Sequence, residues 1–234
     1  MMRNYLKKAH QKTNDEQLNF YTPLGIHVYI QQPLLNDSVD LESVVNKVES
    51  ILPAHLLSEV EMIIVGWFEE FEKQDINAFY KDGALYISNI QDDEADMCDD
   101  IIHEVAHAIE ESSGYTIYAD NKIKDEFLRK RQYLHDILWK HGYKAPIEFF
   151  TNLEYNKEFD EFLHKKIGYN KLSGWITGLF ISPYAATALR EYFATGFTDY
   201  YMHPDEHRYL QKVSPAVYKK IITLQDEELL DITH

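Results

Sequence analysis

Apolar and polar positions fall into two registers along this chain, strand-like in the first third and helix-like afterwards. The segment 26–32, IHVYIQQ, reads as a short strand, and 60–68, VEMIIVGWF, is an apolar, β-branched run of strand length. Between them, 40–52 places Leu41, Val44, Val45, Val48 and Ile51 at helical spacing, with Asp40 as N-cap and Pro53 just past the end. The stretch 76–88, INAFYKDGALYIS, splits into two strand-like halves around Lys81-Asp82-Gly83. Asp-Gly between alternating apolar positions is a strong hairpin signal. Residues 1 to about 20 are polar and read as a helical or loose arm.

Beyond residue 90 the pattern is helical. One helix is expected over 92–113, acidic at its start and stopped by Gly114, and a second over 125–142, with Gly142 at its end. A third helical stretch covers about 146–167. Another, 182–201, opens with Ser182-Pro183, an N-cap and first-turn signature. The last pieces lie within 204–230. No repeat, linker or low-complexity tract interrupts the order. The expectation is an α+β protein in a single domain over 1–234, with an arm at about 1–20, an αβ lobe at about 21–114 and a helical lobe at about 115–234.

Composition narrows the partners. The 234 residues can enclose one substantial core. A net charge of −16 argues against a nucleic-acid partner, because phosphate backbones are held by cations. Cys98 is the only cysteine, which excludes an intramolecular disulfide and a thiolate zinc cluster. The basic N-terminal stretch has no apolar run behind it, so no signal peptide is expected, and no run approaches the ~20 apolar residues of a membrane span. A cytoplasmic protein without membrane contact is the default expectation, with delivery as an effector or as part of a virus particle left open.

The candidate chemistry lies in IIHEVAHAIE, 101–110. Residues four apart on a helix share a face, so His103 and His107 can aim imidazole nitrogens at one cation. Zinc takes nitrogen and oxygen ligands in tetrahedral geometry, and Glu104 beside the pair can take a proton from a metal-activated water. Ile101, Ile102, Val105 and Ile109 would bury the helix and hold the ligands rigid. With 11 histidines in the chain the bare match is only moderately specific, so a third ligand matters. One class of zinc peptidases extends the motif with a glycine and a third histidine, but here those positions are Glu110 and Ser113. Peptide deformylases need a cysteine ligand in a separate motif, which Cys98 does not provide. A later carboxylate remains, and Glu191, flanked by Leu189, Tyr192 and Phe193, is favoured over His203, Asp199 or His164. Its competing reading is a surface ion pair with Arg190. Tyr184 lies seven residues before Glu191, about two helical turns, near the same face. On spacing alone it is one packed tyrosine among 17.

Taken together, HEVAH at 103–107 and the later YAATALREYFATGF resemble the zinc protease domain of anthrax lethal factor and its relatives, which include the Pro-Pro endopeptidases. Those proteins carry a tyrosine seven residues before a zinc-binding glutamate, the spacing of Tyr184 and Glu191. The resemblance extends over roughly residues 25–201, with specific motifs only in those two parts. It implies a zincin-like fold: a small N-terminal mixed sheet with an edge strand, a helical C-terminal lobe, and an active-site cleft between them. It also implies a gluzincin-type endopeptidase with one Zn2+, held by His103, His107 and Glu191. Glu104 would be general base and Tyr184 would donate to the oxyanion. A peptide or protein substrate would lie extended along Ala84, Leu85, Tyr86, Ile87 and Ser88, taken as the edge strand. The chain departs from the pattern at Thr195, four past Glu191, where gluzincins often place an acid that supports a zinc histidine. The alternative is a zinc-binding protein of this fold with a structural or binding role. The basic, aromatic stretch 128–144 is expected to form a solvated helix face.

Overall fold

The computed structural model describes residues 19–74 and 76–227. The chain divides into two compact units, 1–108 and 109–234, and the boundary falls inside one long helix. The expected arm at 1–20 lies almost wholly outside the described residues.

The first unit is built on a five-stranded mixed sheet. Its strands are β1 (Asn19–Tyr21), β2 (His27–Ile30), β3 (Met62–Gly66), β4 (Ala78–Lys81) and β5 (Ala84–Ser88), in the order β1-β2-β3-β5-β4. β2, β3 and β5 run parallel, while β1 and β4 are antiparallel to their neighbours. The period-2 alternation sends Val28, Ile63, Val65, Leu85 and Ile87 to one buried face. Helix α1 (Leu41–Ile51) makes the crossover from β2 to β3. Asp40 caps it, accepting hydrogen bonds from the backbone N–H of Glu42 and Ser43, and it buries Leu41, Val44, Val45 and Val48. Each such side chain contributes ~1.5–3 kcal/mol relative to exposure. A short helix α2 (Glu69–Gln74) then leads to the hairpin. Asp82 (φ 50°) and Gly83 (φ 81°) form its two-residue turn, and Lys81 pairs with Ala84.

The hairpin corrects one expectation. β5 was expected to be the edge strand, but it lies inside the sheet, paired with β3 on one side and β4 on the other. Its backbone groups are therefore committed, and Leu85 and Ile87 are fully buried. The physical reason is the chain path. Return of the second hairpin strand parallel to β3 forces the first strand, β4, to the outside.

Helix α3 (Glu94–Tyr118) completes this unit with its first turns. Asp93 caps it by accepting from Ala95 and Asp96. Ile101 and Val105 meet Val45, Val48, Ile63 and Leu85 around one small void, so the helix packs on the same core as α1 and the buried sheet face. The helix does not stop at Gly114 as expected. It kinks at Ser113 (φ −115°, ψ 19°) and runs on to Tyr118, because Ile117 is fully buried and Tyr118 is anchored to Glu110 by a hydrogen bond.

The second unit is helical. After the end of α3 come α4 (Lys122–Lys140), α5 (Glu148–Thr151), α6 (Lys157–Glu161) and a π-helical turn (Phe162–Ile167). They are followed by α7 (Tyr169–Ile176), α8 (Leu189–Met202), α9 (His207–Val213) and α10 (Pro215–Leu224). α8 lies at the centre, burying Tyr192, Phe193, Ala194, Gly196, Phe197 and Thr198 among others. Glu126 of α4 accepts from the Tyr192 hydroxyl (2.7 Å) and from the backbone N–H of Ala216 (3.0 Å), which satisfies a donor in the first turn of α10. Lys130 of α4 donates to the carbonyl of Val213 (2.5 Å) at the end of α9. The stretch 128–144 is thus not wholly a solvated face, since Lys130 and Arg131 are buried. Among the described residues no helix is long and apolar enough to cross a membrane.

Candidate metal centre

The site begins with what holds α3 still. Ile101, Ile102, Val105, Ala106 and Ala108 are fully buried, which leaves His103 and His107 half-buried on the remaining face. Their rings are 5.0 Å apart between centroids, at 77°. Glu191 stands in the first turn of α8, 84 residues past His107, and is also half-buried. One imidazole nitrogen from each histidine and one carboxylate oxygen of Glu191 all lie within 4.8 Å of one another. Among the described residues this is the one group of three or more such side chains. Two imidazoles and one carboxylate are a donor set suited to zinc, whose tetrahedral bonds of about 2.0–2.1 Å put ligand atoms ~3.4 Å apart.

The alternatives for the third ligand are engaged elsewhere. His203 pairs with Asp199 (3.3 Å) at the far end of α8, and the His164 ring packs against Tyr169 at 4.8 Å. The Arg190 guanidinium pairs with Glu110 (3.3 Å). Glu104 is buried, 7% exposed, next to His103. Thr195 is half-buried one turn past Glu191.

Tyr184 is placed differently from the expected continuous helix. It opens a separate 3-10 turn (Tyr184–Ala186), and Ala188 is extended (φ −151°, ψ 163°) before α8 starts afresh. The two-turn, same-face spacing to Glu191 therefore does not hold. Tyr184 is half-buried, and its carbonyl accepts from the hydroxyl (2.7 Å) and backbone N–H (2.9 Å) of Thr187.

Several neighbours carry no motif and escape a reading of the sequence. Asp160 accepts from the hydroxyls of Tyr155 (2.8 Å) and Tyr169 (2.6 Å). Burial, those hydrogen bonds and the charges of Asp160 and Glu191 push both phenols upward, so they stay protonated with their hydrogens directed at Asp160. On α3, one turn before Glu104, burial pushes Asp100 up to about 7. The Gln91 amide, which donates to it, pulls the other way, and the charges of Asp96, Asp99 and Glu104 add to the rise. Arg131 is 1% exposed, and its position four past Phe127 and three before Leu134 was the signal that could have found it.

No protein-family profile, curated protein or solved structure matches this chain. Fold and site together define an α+β protein with a His-His-Glu group that could bind a metal ion.

Proposed function

We propose that this protein is a zinc-dependent endopeptidase of the gluzincin kind, similar to the lethal factor protease domain. The observation that carries the proposal is the approach of His103, His107 and Glu191 to within 4.8 Å, although the glutamate comes from a helix far along the chain. Zinc in a three-ligand site supplies Lewis acidity toward water and toward a carbonyl oxygen. The rest is done by side chains. Glu104, on the helix that carries both histidines, takes the proton of the attacking water and passes it to the leaving amine. The resemblance gives the Tyr184 hydroxyl the role of donor to the oxyanion as the carbonyl becomes tetrahedral, a role that no longer rests on a helix face shared with Glu191. A site with a purely structural role usually closes its shell with a fourth protein ligand and needs no carboxylate beside it, which favours turnover over the structural reading.

The test is incubation with a peptide library, read by mass spectrometry with and without a chelator. Discrete internal cleavages are expected, lost on chelation and restored by zinc. Glu104→Gln should retain zinc and lose at least ~10²-fold in rate, the usual contribution of general acid–base catalysis. A Glu104→Gln protein that cuts as fast as wild type would falsify the mechanism. Stoichiometric zinc without any cleavage would leave the non-catalytic alternative.

A further inference from the structure

We propose that Arg131 is a positioning residue for the candidate metal centre: it fixes the turn of Tyr184 and the start of the helix that presents Glu191. The inference rests on the metal reading above.

Arg131 lies on α4 with its guanidinium fully enclosed. Its hydrogen-bond partners are backbone carbonyls from two separate turns. One nitrogen donates to the carbonyls of Ala186 and Thr187 (3.3 Å for the latter), and the other to those of Phe149 (2.6 Å) and Asn152 (3.0 Å). The flat cation lies over the rings of Phe159 (4.4 Å) and Phe127 (5.0 Å), which fix its plane.

The carbonyls of Ala186 and Thr187 are ones the chain cannot satisfy by itself. Extension at Ala188 ends the 3-10 turn and leaves them without the N–H groups that a continuing helix would offer. Arg131 supplies the donors. Thr187 passes the restraint on, because its hydroxyl and N–H both bond the Tyr184 carbonyl. The second pair of bonds holds the turn at 149–152, and the next carbonyl, that of Leu153, accepts from Leu189 N–H (2.8 Å) two residues before Glu191. Both routes thus end on the segment that carries Tyr184 and Glu191.

Arginine suits this job and lysine does not. The guanidinium offers five N–H groups in a rigid fork, so two nitrogens can each serve a different turn. An ammonium has three donors on one atom and cannot span both. Burying an unpaired charge is costly, and an apolar side chain of similar volume would fill the same space. Retaining the charge is accounted for by the geometry it imposes.

The experiment compares wild type with Arg131→Lys. Zinc affinity is measured by competition with a chromophoric chelator, Co2+ is added as a spectroscopic probe, and far-UV circular dichroism is read on the same samples. The expected result is a folded Arg131→Lys protein whose zinc Kd is raised about 10-fold, the lower end of the effect of losing a group bonded to a ligand, because Arg131 acts through the backbone, with an altered Co2+ visible spectrum. Wild-type protein that binds no zinc sinks the metal centre itself. Wild type that binds zinc, beside a variant with unchanged Kd and spectrum, overturns only the role of Arg131. A variant that loses its helical signal together with the metal also overturns it, because Arg131 then supports the helical body rather than two turns.

Discussion

Gly196 gives a sharp test of how the helix of Glu191 is packed. A Cβ added at Gly196 would lie 2.7 Å from Val217 Cγ1, 3.5 Å from Val217 Cβ and 3.7 Å from Leu210 Cδ1. Carbon pairs are comfortable at about 3.5–4.0 Å, so Gly196→Ala demands a shift of roughly 1 Å. Val217 cannot swing aside, because it is fully buried and a β-branched side chain in a helix has one strongly preferred rotamer. Overpacking of this kind costs ~1–3 kcal/mol. Alanine in place of glycine returns ~1 kcal/mol of helix propensity. The packing loss should win, with a net destabilisation of up to ~2 kcal/mol in urea melts. The decisive comparison is a double-mutant cycle with Val217→Ala, in which the new methyl enters the vacated space. A favourable coupling of ~1–2 kcal/mol is expected. A Gly196→Ala protein more stable than wild type, or strictly additive single effects, would show that α8 and α10 do not meet at this point.

Two further outcomes follow from the surroundings of the site. Asp100 holds its proton more tightly when folded than when unfolded, so its contribution is fully present below about pH 4 and is lost as pH rises through about 7. The difference from 3.8 to about 7 corresponds to ~4 kcal/mol at most, and ~2–3 after partial solvent access. Chelator-treated wild type should therefore lose ~2–3 kcal/mol between pH 4.5 and 8 relative to Asp100→Asn, and equal pH slopes in urea melts would refute this. Tyr118→Phe should cost ~1.5–3 kcal/mol in the same assay, because the buried Glu110 carboxylate loses a charged-group hydrogen bond. A variant within about 0.5 kcal/mol of wild type would mean that the phenol is not a significant donor there.

Local rules made part of this visible from residues alone. Leu41, Val44, Val45 and Val48 at helical spacing behind Asp40 gave α1 with its cap, and Asp82-Gly83 gave the two-residue turn. The four-residue spacing of His103 and His107 holds because α3 is regular through that stretch. What escaped depends on distant parts of the chain. Nothing local says whether β5 or β4 ends beside β3, since both alternate equally well. The break at Ala188 has no proline or glycine to mark it. Residue type alone makes Arg131 and Lys130 solvated, whereas the stripe Ile123, Phe127, Leu134 and Leu138 places them beside the buried face.

Glu191 can serve as a ligand only if α8 does not turn about its own axis, and its two neighbours in sequence explain why it should not. Successive helical side chains point about 100° apart. Arg190, on one side of Glu191, pairs with Glu110 on α3, one turn past His107. Tyr192, on the other side, donates to Glu126 on α4. Rotation in either sense stretches one of these bonds, and both carboxylates are buried. The backbone bond from Leu189 to Leu153 stops the first turn from sliding along the axis. Three positions, 189, 190 and 192, thereby fix height and azimuth, and the residue they bracket is the one whose carboxylate lies within reach of both histidines. A surface glutamate needs no such bracketing; a metal ligand does, because displacement by 1 Å is about half a zinc–oxygen bond length.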